Sequence, residues 1–412
     1  MAIVITAKGK DFSAWRAAGD FTENCRQSLL NRTCTLLSEQ AEALFAETLE
    51  DLEQRKLRHD EALARLRELT FRAAAASPEQ LKTLVEEYYG QAYAFFKGNR
   101  SAPSFFQLSD EFLAALSASL VCHARGEMGD SASGLPPLAL IALGFCTCHE
   151  FTPFWRLQLV LVHGDIQPDR EPLVTSFYRT LHEAFETVGI RLDSRVTPLD
   201  PEWRGSMADW KQRLLQGLEY GSGMAGGEII KLAEQQALYS EDGLADEFRG
   251  HCMELLGRSR SSLGFMVARV AELSNGIGLM GGMKVEKKGA QRGLFSMLDH
   301  ALLPLAAAVS TLALIKGDGA GATPRSIREL LNRGAIDVEM AERLLEAWHL
   351  FSEMRLLREA GLQPAWNDQA VFFIDLETLD EAELEHFKSC LETVGQFQRH
   401  VGIVFNNWEE QH

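Results

Sequence analysis

The chain has 412 residues, 46% hydrophobic and 24% charged, with a formal net charge of −17. That length predicts two or three globular domains, and the charge excludes a surface built broadly for nucleic-acid phosphates, which needs clustered Lys and Arg. The seven cysteines are scattered and odd in number, and Lys8, Lys10 and Asp11 fall too early for an apolar signal segment. A reduced, cytoplasmic setting is therefore expected. The longest apolar run, Leu302–Ile315, contains Pro304 and is too short to span a bilayer, so no membrane partner is expected.

The first 130 residues read as helical. Leu37, Ala41, Leu44, Thr48, Leu52, His59, Leu63 and Leu66 recur mostly at three and four, the seam of a long amphipathic helix. His59 and the gap near Arg55 favour an intramolecular core for that seam, and a homodimeric coiled coil is the alternative. Ser77-Pro78-Glu79-Gln80 predicts a helix start in which Gln80 reaches back, with the helix stopping near Gly98-Asn99. A further helix is predicted over Ser109–Arg125, followed by a Gly/Ser/Asp-rich loop at Gly126–Pro137.

From Leu138 the pattern becomes mixed. Leu138–Phe145 reads as a buried strand ending at Gly144, and Trp155–Val162 as a second strand. A helix at Pro172–Val188 and an edge segment at Arg191–Pro198 follow. Gly217–Gly227 reads as a loop. Glu228–Leu238 and Leu244–Leu273 read as helices, and Ser274–Gly282 as a break. Thr323-Pro324 and Asp337 each start a helix, and Asp380 with Glu383 caps the last, which runs to about Phe405. The expected class is α+β, mostly α: a mixed sheet flanked by helical regions. The expected domains are 1–130 (N-terminal helical), 131–225 (α/β) and 226–412 (helical bundle).

The two strands and their linker resemble the nucleotidyltransferase fold, specifically the nucleotidyltransferase family related to PII uridylyltransferase. In that family the first strand ends Gly-Ser and the second carries Asp-x-Asp. Here Gly144 keeps the glycine, Phe145 stands at the Ser position, and Arg156 and Gln158 stand at the two Asp positions. Glu150 and Thr152 match the Glu and Thr of the family's Gly-Arg-x-Glu-x-Thr stretch, whose Gly and Arg are Thr147 and Cys148 here. Trp203, Ser206 and Trp210 match its Trp-x-x-Ser-x-x-x-Trp segment, and its Phe-Asp-x-Arg falls near Gln235–Ala237 without acid or base. The C-terminal part resembles the substrate-binding helical domain of these transferases, with Lys287, Lys288, Thr323, Arg355, Asn367 and Gln398 at the corresponding positions.

Nucleotidyl transfer needs carboxylates that hold Mg²⁺ against the reacting phosphate. A guanidinium repels that cation and a carboxamide is a weak neutral ligand. The resemblance therefore implies a catalytically inactive regulatory or signalling module, without a resident metal or cofactor. It implies a protein partner and a nucleotide as candidate ligand at Gly144, Phe145, Arg156 and Gln158, with Arg156 replacing the metal's charge. One alternative is an active Mg²⁺-dependent protein nucleotidyltransferase using displaced acids, Glu150, Asp165 or Asp169. The other is a helical adaptor that binds no nucleotide.

Three further patterns carry blander readings. Gly221-x-Gly223-x-x-Gly226 and Gly276-x-Gly278-x-x-Gly281 follow helical sequence, so they read as hinges rather than dinucleotide loops. Cys146, Cys148 and His149, with Cys122-His123, lack zinc spacing and read as buried thiols at a strand end. The basic island Arg258, Arg260, Arg269, Lys284, Lys287, Lys288 and Arg292 reads as a solvated face, with an anionic contact as the alternative.

Overall fold

The computed structural model describes residues 39–144, 149–220, 229–278, 281–317, 321–363, 366 and 369–411. The chain divides into two compact units, Met1–Arg67 and Glu68–His412. It is 69% helical, with a small mixed sheet of four strands, and so is α+β and mostly α.

The described part of the first unit is the N-terminal portion of helix α1 (Glu39–Ala73). From Glu50 to Glu61 none of its described side chains is buried, and Leu52 and Leu57 are 36% and 59% exposed. The middle of the expected seam is thus not intramolecular core. Seam spacing shows which residues share a stripe and is silent on what covers it.

The second unit begins within the same helix. Ser77 precedes α2 (Pro78–Asn99), and its N–H donates to Gln80 Oε1 at 3.0 Å, as the sequence predicts. Helix α2 ends at Asn99, as the sequence predicts, with Arg100 as its C-cap at φ 56°. Helix α3 (Ala102–Glu127) starts seven residues before the expected Ser109. Ser101 caps it and Pro103 sits in its first turn, a start signal close in type to that of α2.

Strand β1 (Leu138–Leu143) is fully buried, and β2 (Gln158–His163) runs antiparallel to it, Leu138 opposite His163 and Leu143 opposite Gln158. Between β2 and the next strand lies helix α4 (Glu171–Thr187). Strand β3 (Arg204–Ser206) is parallel to β2, and α5 (Met207–Tyr220) follows it. The expected edge segment, Arg191–Pro198, runs beside the start of β2 through the parallel Leu157–Leu192 bridge and the Leu159 N–H bond to Val196 O at 3.1 Å, while the paired strand β3 lies farther on at Arg204–Ser206.

The largest departure is β4 (Gln235–Ser240), which lies inside the predicted helix Glu228–Leu238. It completes the sheet in the order β3-β2-β1-β4, antiparallel to β1. Local spacing around Ile229–Ala233 favours a helix and yields a short 3-10 turn there. The open edge of β1 then captures Gln235–Ser240, and burial against a neighbouring strand outweighs propensity.

The predicted helix Leu244–Leu273 is two helices, α6 (Leu244–Arg258) and α7 (Arg260–Glu272). Ser259 divides them and accepts the Ser262 N–H. Helix α6 packs on β1, β2 and β4, while α3 packs on β4 and α4. After a two-residue strand β5 (Phe295–Ser296) and a π turn comes α8 (Leu303–Ile315), buried from Pro304 to Ile315. A helix apolar on all sides belongs at the centre of a bundle. Around α8 stand α7, α9 (Thr323–Asn332) and α11 (Glu381–Gln411). Helix α10 (Val338–Leu362) packs on α9, α11, α2 and α3, and β6 (Phe373–Ile374) pairs with β5. Asp337 caps α10 through the Met340 N–H, and Asp380 with Glu383 forms a reciprocal box at α11, both as read from sequence.

Two helical stretches, Ala102–Glu127 and Leu298–Ile315, are long and apolar enough to cross a membrane by composition. The protein buries 61% and 78% of their most apolar windows internally, as core helices do.

Candidate functional site

At the end of β1 the chain turns on Gly144, whose φ of 106° suits glycine and whose N–H donates to Glu234 O at 3.2 Å. Phe145 and the Cys146–Cys148 stretch lie outside the described residues, as do Gly221–Gly226 and Asn367. His149, also at positive φ, re-enters with its N–H on Gln236 Oε1 at 2.8 Å and its Nδ1 2.8 Å from Asp110 Oδ2.

Beyond His149, four of the landmark residues converge. Glu150 and Thr152 from the link after β1 meet Thr323 at the start of α9 and Arg355 in α10. The Arg355 side chain is 1% exposed and its partner Glu359 is 0% exposed. Arg355 Nε donates to Glu359 Oε1 at 2.8 Å, and Nη2 donates to Glu150 O at 3.0 Å and Thr152 Oγ1 at 3.1 Å. Thr152 and Tyr93 hydroxyls donate to the two Glu359 oxygens at 3.0 and 2.7 Å. Trp348 Nε1 donates to Glu150 Oε1 at 2.8 Å. The guanidinium carbon lies 4.9 Å from the Trp155 ring centroid and 5.5 Å from that of Phe106. Burial raises the Glu150 carboxyl above its usual range, against hydrogen bonds from Trp348 and Thr323 and the charge of Arg355. This network ties the sheet to α2, α9 and α10, and it commits Glu150 to internal partners.

Glu234, adjoining the same turn, is a second buried acid. Burial raises its pKa well above the ordinary value, opposed by the Ser310 hydroxyl that donates to it and reinforced by Glu150. Sequence reading missed it because it sits inside the stretch mistaken for a helix.

The expected nucleotide-contacting positions lie around the start of β2. Gln158 is the first residue of that strand, while exposed Arg156 precedes it and donates to Leu192 O at 3.3 Å. Gln158 Nε2 reaches Asp193 Oδ2 at 3.4 Å. Asp165 is exposed beyond the far end of β2, where the Gly164 N–H binds Pro137 O. At about 3.3 Å per strand residue that is roughly 20 Å from the Gly144 end, so Asp165 does not join Glu150. Asp169 lies farther along, in the turn before α4.

Among the described residues, no group of three or more His, Cys, Asp or Glu is placed to hold a metal ion. The residues at the two expected Asp positions do not fit Mg²⁺, because neither supplies an anionic oxygen.

The remaining landmarks serve the frame. Trp203 and Trp210 are buried, and Trp210 Nε1 donates to Leu161 O at 3.3 Å. Ser206 caps α5 in exchange with Asp209. Gln398 donates to the carbonyls of Val270 and Leu273 at 2.8 and 2.9 Å and so finishes α7. Lys287 and Lys288 are exposed on the loop before β5. In the basic island, Arg258 pairs with Glu254 and Arg269 with Glu272 on exposed helix faces, and Lys284 binds Ser274 Oγ. Gly276 and Gly281 occupy left-handed turns after α7 beside the Ile277–Met283 bridge, not the mouth of a helix. Cys122, on α3, is exposed, and the strand-end cysteines lie outside the described residues.

A comparison with curated proteins gives no match. Residues 260–405 match the family described as "putative nucleotidyltransferase substrate binding domain". The match covers the helical region from α7 into α11 and is consistent with the nucleotidyltransferase-related family that the sequence resembles.

Proposed function

We propose that this chain is a non-catalytic nucleotidyltransferase-like protein of the cytoplasm. In this reading it is a regulatory signalling module that binds a nucleotide and passes that state to a protein partner. The observation that carries the reading is the chemistry at the start of β2. Where metal-holding carboxylates are expected, the chain presents a fixed cation at Arg156 and a neutral amide at Gln158. Supporting it, Glu150 is spent on Trp348 and Thr323, and Asp165 lies at the far end of the sheet. The buried network offers the coupling route, since the link after β1 and helices α9 and α10 share one set of charges.

Two measurements test it. Incubation with α-labelled nucleotides, Mg²⁺ and a cell extract should label no protein, and Mg²⁺-dependent labelling lost in Glu150→Ala would overturn the reading in favour of an enzyme. Thermal unfolding with ATP, GTP, CTP or UTP in EDTA should show stabilisation by at least one of them. Ligand at 100 times its Kd adds about 2.7 kcal/mol. Absence of any shift would remove the nucleotide and leave a helical adaptor.

A further inference from the structure

Arg156 has a neighbour that sequence reading passed over. Leu157 and Leu192 form a parallel bridge, and the Leu157 N–H donates to Arg191 O at 2.9 Å. Arg156 and Arg191 each precede a bridged residue, so they stand side by side across adjacent parallel segments. Strands so paired lie about 4.8 Å apart. Arg191 is half-buried, and its Nη2 donates to the carbonyls of Pro153, Phe154 and Trp366 at 3.4, 2.8 and 2.6 Å. Among the described residues its Nε is buried without a partner.

Among the described residues neither guanidinium has a carboxylate within salt-bridge distance, in a chain of net charge −17. The nearby acids are otherwise engaged. Glu186 accepts the Leu192 N–H at 3.0 Å, and Asp193 accepts the N–H groups of Arg195 and Val196 at 2.7 and 3.1 Å. Burial lowers the pKa of Arg191, the charge of Arg156 lowers it further, and Glu186 offsets part of this. Two adjacent cations repel, and holding one of them half-buried without a direct carboxylate partner is costly. Guanidinium forks match phosphate oxygens in pairs.

We propose that Arg156 and Arg191 form a metal-free clamp for the polyphosphate group of the ligand. Arg191 is the fixed jaw set by its three carbonyls, and exposed Arg156 is the accessible one. This rests on the reading of the β2 start as a site that has exchanged metal for guanidinium.

The test is calorimetric titration of the full chain in EDTA with pyrophosphate, tripolyphosphate, and ATP, GTP, CTP and UTP. At least one polyphosphate should bind, and Arg156→Gln should weaken it by about tenfold or more, as loss of a charge-assisted fork does. Arg156→Lys should recover part of the loss, and affinity should fall with added salt. Because Arg156 is exposed, its variants should keep the wild-type melting midpoint, which separates lost binding from lost fold. Stronger binding of one nucleotide than of tripolyphosphate identifies a nucleotide's tail, and equal binding identifies free polyphosphate. Either supports the clamp. Failure of all six ligands to bind, or unchanged binding in Arg156→Gln, would overturn it. Unchanged binding in Arg156→Gln overturns the clamp alone, failure of all six ligands also removes the nucleotide from the proposed function, and Mg²⁺-dependent labelling would end the non-catalytic reading on a separate readout.

Discussion

Replacing Arg355 by Met should be among the most damaging single changes in the molecule. The side chain is 1% exposed, and its loss leaves Glu359, 0% exposed, with only the Tyr93 and Thr152 hydroxyls as donors. Breaking a buried ion pair from one side costs about 3–5 kcal/mol, because the remaining charge is stranded. Contacts to the Trp155 and Phe106 faces add about 1 kcal/mol. Glu359→Gln should cost a similar amount by stranding the guanidinium. The double variant carries neither charge, so its loss should fall short of the sum of the singles by about 2–3 kcal/mol. The assay is urea unfolding of all four proteins followed by tryptophan fluorescence, since Trp155 and Trp348 both touch the network. Single losses under about 1 kcal/mol, or strict additivity, would refute a coupled buried network.

Three further outcomes are expected. Near pH 4 Glu234→Gln should unfold close to wild type, because the amide mimics the protonated acid, while Glu234→Ala should be clearly weaker. The sign follows from the raised pKa. Wild-type stability from this group is full below the ordinary 4.5 and is lost as pH rises towards the folded value, so Gln should gain on wild type across that window. Melting curves from pH 4 to 9 check this, and a gap that widens towards acid would contradict it. For Glu241, burial acts to raise the pKa, but hydrogen bonds from Arg125, Tyr239 and the Leu138 N–H outweigh it and hold the carboxyl low. Its contribution is present above 4.5 and lost as pH falls through the folded value, so the destabilisation by Glu241→Gln expected at pH 7 should vanish in acid. Gly144→Ala should cost about 1–3 kcal/mol in denaturant unfolding, since φ of 106° strains any residue with a Cβ, and a cost below 0.5 kcal/mol would contradict that backbone.

Local chemistry was legible wherever a few neighbouring residues determine the outcome. Ser77-Pro78 with Gln80, Asp337 and the Asp380–Glu383 box could be read because capping is settled within one turn. The run Leu138–Leu143 could be read because a strand buried on both faces is continuously apolar. Strand β4 could not, since Gln235-Gln236 announces no strand and only the open edge of β1 makes it one. The same holds for the site. Order and spacing brought Glu150, Thr152, Thr323 and Arg355 onto one page, but Glu359, Tyr93 and Trp348 complete the network from helical faces with no motif of their own. Arg191 was invisible for a related reason, because its pairing with Arg156 exists only through the Leu157–Leu192 bridge.

The landmark residues divide by what they touch. Glu150, Thr152, Thr323 and Arg355 face inward and hold each other, and Trp210, Ser206 and Gln398 close helices and strands. Arg156 faces solvent and, among the described residues, holds the carbonyl of Leu192. A frame of buried, interlocked groups resists change, since removing one member strands the others at several kcal/mol. An exposed position at a strand start carries no such cost and can trade a carboxylate for a guanidinium without disturbing the fold. On the proposed reading, loss of metal chemistry at the β2 start leaves intact the architecture that would relay its occupancy to α9 and α10. The physical link is short: Arg191 binds the carbonyl of Phe154, the next residue, Trp155, stacks on Arg355, and Arg355 belongs to α10. An anion seated on Arg156 and Arg191 would therefore act on the segment that covers the buried guanidinium. Polyphosphate should then slow hydrogen exchange in Phe151–Leu157 and in α10 around Arg355, an effect that Arg156→Gln should abolish.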